Sequence, residues 1–179
     1  GSVSIGDVAI APSNPEVIWI GTGEENGRNS VQWGDGIYKS TDGGSSWQHM
    51  GLRESFQIGH VDIHPTNADI VFVAALGRLW GDNEERGVYR TKDGGKTWER
   101  VLYIDEKTGC VDVRIHPRDP MTVFACMYER KRDRYAPYEH ELRRAGIDDV
   151  PLTWSAYGRP HERAAQAPAT RDGGRPGRQ

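Results

Sequence analysis

Cysteine is scarce in this sequence, and long apolar runs are absent. Only Cys110 and Cys126 occur among 179 residues, too few for a disulfide framework. They fall on neighbouring predicted strands, where a bridge is an alternative, but we expect two buried thiols. No apolar run approaches the roughly 20 residues that a membrane-spanning helix needs. The first residues contain neither the basic nor the apolar stretch of a signal peptide. The sequence therefore predicts no membrane insertion and carries no recognisable targeting signal.

Glycine and aromatic residues are abundant by comparison. The chain contains 22 Gly and 10 Pro, which indicate many turns and few long helices. Six Trp, seven Tyr and three Phe supply large apolar side chains that need a packed environment. This combination favours a folded β-protein over a disordered chain.

Charge divides the chain into two unequal parts. Residues 1–129 hold 12 Lys and Arg against 19 Asp and Glu, whereas residues 130–179 hold 11 against 7. The second part is also rich in Pro and Arg and poor in β-branched aliphatic residues. We therefore predict a folded region at 1–129 and an irregular basic insertion or tail at 130–179.

An internal repeat of about 52 residues organises the first part. The segment that begins at Ile5 and ends at Pro12 aligns with Ile58 to Pro65 and with Cys110 to Pro117. In each copy a Pro-containing turn and a second apolar run follow, starting at Val17, Ile70 and Thr122. Three successive units of one architecture are therefore present.

Each unit predicts four short antiparallel strands, here called A to D. Strand A alternates apolar and polar residues, and strand B is nearly continuously apolar, as expected for a strand buried on both faces. Strand C precedes an Asp-Gly-Gly turn, which leads back into strand D. Four such strands in a repeated unit are typical of a propeller blade. We predict an all-β partial β-propeller of four-stranded antiparallel blades, two complete and one incomplete, with an irregular basic C-terminal segment.

The Asp-Gly-Gly turns have a physical basis. Paired glycines reach the positive φ of a tight turn, and the Asp carboxylate accepts N–H groups inside it. Hydroxyl residues before the Asp and before the Trp add further bonds, and the Trp ring covers the turn. The residues assigned this structural role are Ser40, Asp42, Gly44 and Trp47 in the first turn and Thr91, Asp93, Gly95 and Trp98 in the second.

These two turns resemble Asp-boxes, the repeat of bacterial neuraminidases. Over residues 4 to 129 the sequence is most similar to bacterial sortilin-like propeller proteins, which are often labelled glycosyl hydrolases because of this repeat. The resemblance implies a many-bladed, usually exported propeller in a much longer chain. It also implies that the Asp-boxes lie away from the binding face. Because Asp-boxes occur in both enzymes and receptors, the resemblance does not distinguish between these two functions.

The repeat sets the expected blade boundaries. Blades are predicted at about 4–55 and 56–107, with a third beginning at 108. A third Asp-Gly-Gly turn at Asp172 is degenerate, because Arg175 follows where the repeat has Trp. Closing a ring takes at least four blades, so bare blade faces are expected to meet further blades of the same parent chain or to self-associate.

The B to C connections are the candidate ligand-binding loops. In a propeller blade they lie opposite the Asp-Gly-Gly turns, and here they span 23–35, 76–86 and residues from 128 onward. Aromatic rings beside guanidinium groups can grip a sugar or a peptide, although a solvated loop with a sealing Trp is an alternative. The candidate ligand residues are Arg28, Trp33, Arg78, Trp80, Asn83, Arg130 and Tyr135.

Three inner-strand residues share one register. Asp7, His60 and Asp112 align in successive A strands. Two carboxylates near the channel mouth could serve as acid and base, as in glycosidases, so Asp7 and Asp112 are catalytic candidates. His64 and His116 precede Pro in the A to B turns, where we expect them to cap the turn rather than bind a metal.

Three functional hypotheses follow. The first is a binding or scaffold module that recognises a peptide or glycan through its B to C loops. The second is a part of a glycoside hydrolase propeller of the sialidase or xyloglucanase kind, and the third is a purely structural repeat. The sequence does not support enzyme activity for the chain alone, and it predicts no cofactor and no metal. Nucleic-acid binding is not expected, because residues 1–129 are acidic.

Overall fold

The computed structural model describes residues 4–27 and 31–130. These residues belong to one compact unit that extends from Gly1 to Ala136. A second unit begins at Pro137. Apart from Arg130, the predicted basic segment lies outside the described residues, as does the degenerate turn at Asp172. No helix in the described part of the chain is long and apolar enough to cross a membrane.

The described chain folds into ten β-strands and one short 3-10 helix. The first sheet has the order β1-β2-β3-β4, the second β5-β6-β7-β8, and the third contains β9 and β10. The strands are β1 (Ile5–Ile10), β2 (Ile18–Thr22), β3 (Ile37–Ser40), β4 (Gln48–His49), β5 (Ile58–Ile63), β6 (Val71–Ala75), β7 (Gly87–Thr91), β8 (Glu99–Leu102), β9 (Thr108–Ile115) and β10 (Val123–Glu129), and the 3-10 helix η1 spans Arg53–Ser55.

All strand pairs are antiparallel, and the first two sheets repeat one register. Val8 pairs with Ile20 in the first sheet, and Val61 pairs with Val73 in the second. A bulge lies at the start of the inner strand in both sheets, before Asp7 and before His60. The sequence repeat is therefore a structural repeat, and the prediction of an all-β partial propeller with two four-stranded blades and an incomplete third is confirmed.

The core lies between successive sheets. Trp19 and Ile37 of the first sheet are buried against Ile58 and Val61 of the second. Phe72 of the second sheet packs in the same way against the third, where Val113 is fully buried. The buried apolar residues of the second sheet thus lie on both of its faces, between it and the two neighbouring sheets, which explains why its B strand is apolar on both faces.

The two Asp-Gly-Gly turns are closed by side-chain hydrogen bonds. The Asp93 carboxylate accepts bonds from the Thr91 hydroxyl at 2.7 Å, the Thr97 N–H at 3.0 Å and the Thr97 hydroxyl at 2.7 Å. Asp42 accepts the equivalent bonds from Ser40 and Ser46. Hydrogen bonds from the Ser46 hydroxyl, the Ser46 N–H and Ser40 lower the pKa of Asp42 to about 2.

Glycine is required in the second turn for two reasons. Gly95 adopts a φ of 93°, and a Cβ there would lie 2.6 Å from the Trp19 ring of the preceding sheet. The Trp98 that follows meets the same ring edge-on at 6.0 Å, and its Nε1–H donates to the Met50 carbonyl at 2.6 Å. This turn therefore joins the first two sheets in addition to reversing the chain.

The histidines of the A to B turns act as expected. His64 Nδ1 accepts the Thr66 N–H at 3.3 Å, and His116 Nδ1 accepts the Asp119 N–H at 3.0 Å. The prediction that these imidazoles cap their turns is confirmed. Cys110 and Cys126 are both free thiols, as expected, but Cys126 is exposed, so the expectation that both thiols are buried is wrong for Cys126.

Candidate functional site

The inner strands bring the three residues of one register into contact. His60 Nδ1 lies 2.8 Å from the Asp7 carboxylate, and His60 Nε2 lies 3.9 Å from the Asp112 carboxylate. One imidazole therefore bridges carboxylates from the first and third sheets. The sequence placed these residues at one level, but their link through His60 depends on the distance between strands, which the sequence does not contain.

The Asp7 carboxylate has a second partner. It accepts the Val61 N–H at 2.8 Å, a main-chain donor on the free edge of the next inner strand. Burial favours a higher pKa for Asp7, but the hydrogen bonds from His60 and Val61 outweigh it and lower the pKa. Asp62, two positions beyond the equivalent residue His60, makes a contact of the same kind one sheet further on, accepting the Ile115 N–H at 2.6 Å. The geometry supports a structural role for Asp7, and the acid–base role of Asp7 and Asp112 stays a prediction.

An exposed aromatic surface lies on the opposite side from the Asp-Gly-Gly turns. Trp33, in the loop between β2 and β3, is 58% exposed and meets Phe56 edge-on at 5.6 Å. The Arg78 guanidinium, from the loop between β6 and β7, lies 4.7 Å from the centre of the Phe56 ring. Phe56 thus joins the B to C loops of the first two sheets, and these three residues form the surface called here the Trp33–Arg78 surface.

The backbone holds Phe56 in an unusual conformation. Its φ is 55° and its ψ is −37°, a region that bulky residues rarely occupy and that costs roughly 1–3 kcal/mol. The Phe56 carbonyl accepts the Gly34 N–H at 2.6 Å, next to Trp33 in the chain. The strained corner between β4 and β5 is therefore tied directly to the loop that carries Trp33. Sequence reasoning missed Phe56, because it stands outside the B to C loops.

A buried cation supports the loop that carries Arg78. Arg86 is fully buried, and its guanidinium donates to main-chain carbonyls instead of a carboxylate. Its Nε–H donates to the Glu106 main-chain carbonyl at 2.7 Å. One Nη donates to the Leu76 carbonyl, and the other donates to the Arg78 carbonyl at 2.6 Å. Burial, followed by the nearby charge of Arg130, lowers the pKa of Arg86 to about 10, so the group remains a cation at neutral pH.

Asn83 is the second support of this loop. It is only 3% exposed, and its Oδ1 accepts the Arg78 N–H at 3.0 Å. Its Nδ2 donates to the Glu54 carbonyl at 3.1 Å and to the Glu85 carboxylate at 2.9 Å. The structure therefore places this predicted ligand residue beneath the surface, where it fixes Arg78 and the corner before Phe56.

The other predicted ligand residues occupy varied positions. Trp80 is half-buried in the same loop as Arg78. Arg130 is buried, and its guanidinium approaches the Asn26 carbonyl at 3.5 Å. Arg28 and Tyr135 lie outside the described residues.

A cavity of about 270 Å³ opens beside Arg130. Leu76, Leu79 and Val111 form its apolar part, while Glu25, Glu129 and Arg130 supply charge. It therefore lies among the B to C loops of all three sheets. Within residues 4–27 and 31–130 no group of three or more His, Cys, Asp and Glu side chains is placed to hold a metal ion.

The chain matches no protein-family model and no curated protein sequence. Its fold is similar to that of an ancestral GH74 enzyme, with a TM-score of 0.52 and 21% sequence identity over 71% of this chain and 14% of that one. Two further similar structures are the GH74 enzyme of Niastella koreensis (TM-score 0.46, 20% identity, 68% and 17% coverage) and the GH74 xyloglucanase of Xanthomonas campestris (0.37, 22%, 57% and 13%).

These comparisons bear on the fold. GH74 enzymes are propeller glycoside hydrolases, and the likeness to the ancestral enzyme agrees with the blade architecture described above. The chain spans about one seventh of that enzyme's length. The chain is therefore similar in fold to a segment of a propeller enzyme.

Proposed function

We propose that this chain is the glycan-binding segment of a larger propeller protein, and that the Trp33–Arg78 surface is its contact site. The observation that carries the proposal is the placement of Trp33. Its indole is 58% exposed, yet it is held against Phe56 by a loop tied to a strained corner. Large exposed aromatic rings with few conformations bind ligands at low entropic cost.

The chemistry of this surface suits a neutral sugar chain. An indole face presents apolar area to the C–H groups of a sugar ring, and the Arg78 guanidinium offers donors to its hydroxyl groups. Arg86 and Asn83 hold the Arg78 backbone from below, so its position is set before a ligand arrives. The fold likeness to a glycoside hydrolase of the GH74 group supports a glycan over a peptide as the ligand class.

The proposed arrangement also gives the Asp-Gly-Gly turns their role. We propose that Ser40 to Trp47 and Thr91 to Trp98 are Asp-box repeats, which stabilise blades on the side away from the ligand. Two observations support this structural role. Side-chain hydrogen bonds to Asp42 and Asp93 close the turns, and Trp98 contacts the neighbouring sheet.

Binding can be measured by intrinsic tryptophan fluorescence. The full chain would be titrated with neutral β-1,4-linked oligosaccharides of glucose, xylose and mannose, and with unstructured peptides as the competing class. We expect saturable binding of at least one oligosaccharide, and Trp33→Ala should weaken it about tenfold, or roughly 1.4 kcal/mol. Trp47→Ala is the matched control, because Trp47 is also an exposed indole but lies in an Asp-Gly-Gly turn. Equal weakening by both variants, or binding of peptides alone, would contradict the proposal.

A hydrolytic role is the second candidate, and the bridged carboxylates Asp7 and Asp112 are the observation that favours it. An acid and a base on either side of a glycosidic bond are the minimum for hydrolysis. Reducing-end assays on the same oligosaccharides, with Asp7→Asn and Asp112→Asn combined in one variant, separate this role from binding. Hydrolysis that disappears in the double variant supports it, and unchanged hydrolysis would remove these residues from consideration.

A further inference from the structure

An asparagine followed by a glycine stands in the loop between β2 and β3. The pair is Asn26 and Gly27, and both residues are exposed. An asparagine amide is chemically labile, because the main-chain nitrogen of the next residue can attack its side-chain carbonyl carbon. Glycine at the next position has no side chain to hinder this attack, and its backbone is free to approach. Asn26 therefore combines a permissive neighbour with an exposed position.

The other asparagines in the described part of the chain lack one of these conditions. Asn14 precedes Pro15, whose nitrogen carries no hydrogen and cannot act as the nucleophile. The Asn67 Oδ1 accepts the Asp69 N–H at 3.0 Å, which holds this side chain within its turn. Asn83 is only 3% exposed, and three hydrogen bonds fix its amide. The asparagine of the exposed loop is thus the reactive one among those that the structure describes.

The main-chain carbonyl of Asn26 faces a buried cation. The Arg130 guanidinium, on a residue that is only 5% exposed, approaches the Asn26 carbonyl oxygen at 3.5 Å. Burial, followed by the charge of Arg130, lowers the pKa of Arg86, so these two cations lie within each other's field. Glu25 and Glu129 line the same cavity as Arg130, so a further carboxylate is favoured there only in direct contact with the guanidinium group. Negative charge on the Asn26 carbonyl oxygen would have that contact.

We propose that Asn26 is a site of spontaneous deamidation, and that Arg130 directs the reaction to an isoaspartyl product and holds it. The Gly27 nitrogen attacks the Asn26 side-chain carbonyl carbon, and the side-chain nitrogen leaves with the Gly27 proton as ammonia, which closes a succinimide ring. Water then adds to either ring carbonyl. Addition at the main-chain carbonyl breaks its bond to the Gly27 nitrogen and gives isoaspartate, in which the main-chain carbonyl carbon becomes a free carboxylate. Addition at the side-chain carbonyl gives aspartate.

Arg130 favours isoaspartate over aspartate. As water adds to the main-chain carbonyl, negative charge develops on the oxygen atom that the guanidinium faces, and a donor at this point lowers the barrier. The same oxygen atom then belongs to the isoaspartyl carboxylate, which pairs with Arg130 and offsets its repulsion of Arg86. The loop that carries Trp33 thereby gains a negative charge and one additional main-chain carbon.

Peptide mapping of the full chain tests both parts of the proposal. The protein would be incubated in a mildly alkaline buffer, natively and in urea, and digested with trypsin, which separates Asn26 from Asn29 by cleavage after Arg28. Electron-based fragmentation in the mass spectrometer distinguishes isoaspartate from aspartate. We expect Asn26 to lose its amide before any other described asparagine. The ratio of isoaspartate to aspartate should be about threefold higher in the native chain than in urea, the size expected for a partly exposed ion pair.

Arg130→Gln isolates the contribution of the guanidinium group. Its ratio of isoaspartate to aspartate should fall to the value found in urea, while the loss of the Asn26 amide continues. Ala68→Gly is the matched control, because it creates a second Asn-Gly pair at Asn67, whose side chain is bonded to Asp69. This second pair should react more slowly than Asn26 and give the ratio found in urea.

Three results would each overturn the proposal. The first is a native chain that keeps the Asn26 amide while the sample in urea loses it. The second is an equal ratio of isoaspartate to aspartate in the native wild type and in Arg130→Gln, and the third is an equal ratio at the two Asn-Gly pairs of Ala68→Gly. Far-ultraviolet circular dichroism identifies a variant that fails to fold. In that case the comparison of the native wild type with the sample in urea, which needs no variant, decides the proposal.

Discussion

Individual carboxylates on the inner strands form hydrogen bonds between neighbouring sheets. Asp7 and Asp62 each reach across to a main-chain N–H on the next inner strand, at 2.8 and 2.6 Å. Such bonds to a charged acceptor contribute about 1.5–3 kcal/mol when they are protected from water. They also fix the register between sheets, because a shift of one residue would remove the donor. These two hydrogen bonds therefore help to align successive inner strands, together with the apolar packing between the sheets.

Asp7 should make folding stability depend on pH. Its pKa is lowered in the folded protein, so its contribution is present at neutral pH and is lost as pH falls through the usual carboxyl range toward the lower folded value. Asp7→Asn should lower the free energy of unfolding at pH 7 by about 1–2 kcal/mol and flatten its decline between about pH 5 and pH 3. Urea titrations at several pH values measure both effects.

Asp69→Asn is the comparison for that series. Its carboxylate is largely exposed and lies 3.8 Å from Lys39, an arrangement that contributes at most about 1 kcal/mol. Its unfolding free energy should follow the wild-type curve closely at every pH. If Asp7→Asn also follows the wild-type curve, the bridge to His60 and the bond to Val61 contribute nothing to stability.

At the scale of an element, the loop between β6 and β7 folds around Arg86. Replacing Arg86 with Leu leaves the carbonyls of Leu76, Arg78 and Glu106 without their donor in a buried space. We expect a loss of about 3 kcal/mol in the free energy of unfolding and faster amide exchange across 76–86. Arg86→Lys should recover only part of this loss, because an ammonium group cannot reproduce the planar set of donors.

The control for this element is Arg53→Leu. The Arg53 side chain is mostly exposed and its nearest carboxylate, Asp35, lies 3.8 Å away, so its removal should change stability by less than about 1 kcal/mol. Amide exchange in 76–86 should remain at the wild-type rate in this variant. Equal effects of Arg53→Leu and Arg86→Leu would mean that the carbonyl cage does not hold the loop.

The strands and turns could be predicted from the sequence, while the residues that hold the Trp33–Arg78 surface in place could not. Strands and Asp-Gly-Gly turns follow from local rules and from a repeat, and the structure has them within a residue or two. Arg86 carries no such signal, because its partners are main-chain carbonyls that any residue supplies. Asn83 has a polar side chain of the kind that binds ligands, but it is buried beneath the Trp33–Arg78 surface. The strained backbone of Phe56 depends on the contact between two loops, which no single segment contains.

At the scale of the whole molecule, stability follows from which sheets have neighbours. In repeat architectures each unit contributes its own stability plus that of its interfaces with adjacent units. The second sheet has both faces covered, and its central strand β6 is buried along its whole length. Among the described residues, no sheet covers the face of the first sheet that carries Ile5, Val8 and Ile10, or the face of the third sheet that carries Phe124. The two ends of the described chain are therefore its least protected parts.

Amide hydrogen exchange should reveal this order directly. At low protein concentration, β5 to β7 should exchange slowest, and β1 and β10 should exchange faster, because opening a terminal sheet breaks one interface where opening the middle one breaks two. Uniform exchange rates over all three sheets at low concentration would show that the chain opens as one cooperative unit and would contradict the nearest-neighbour account.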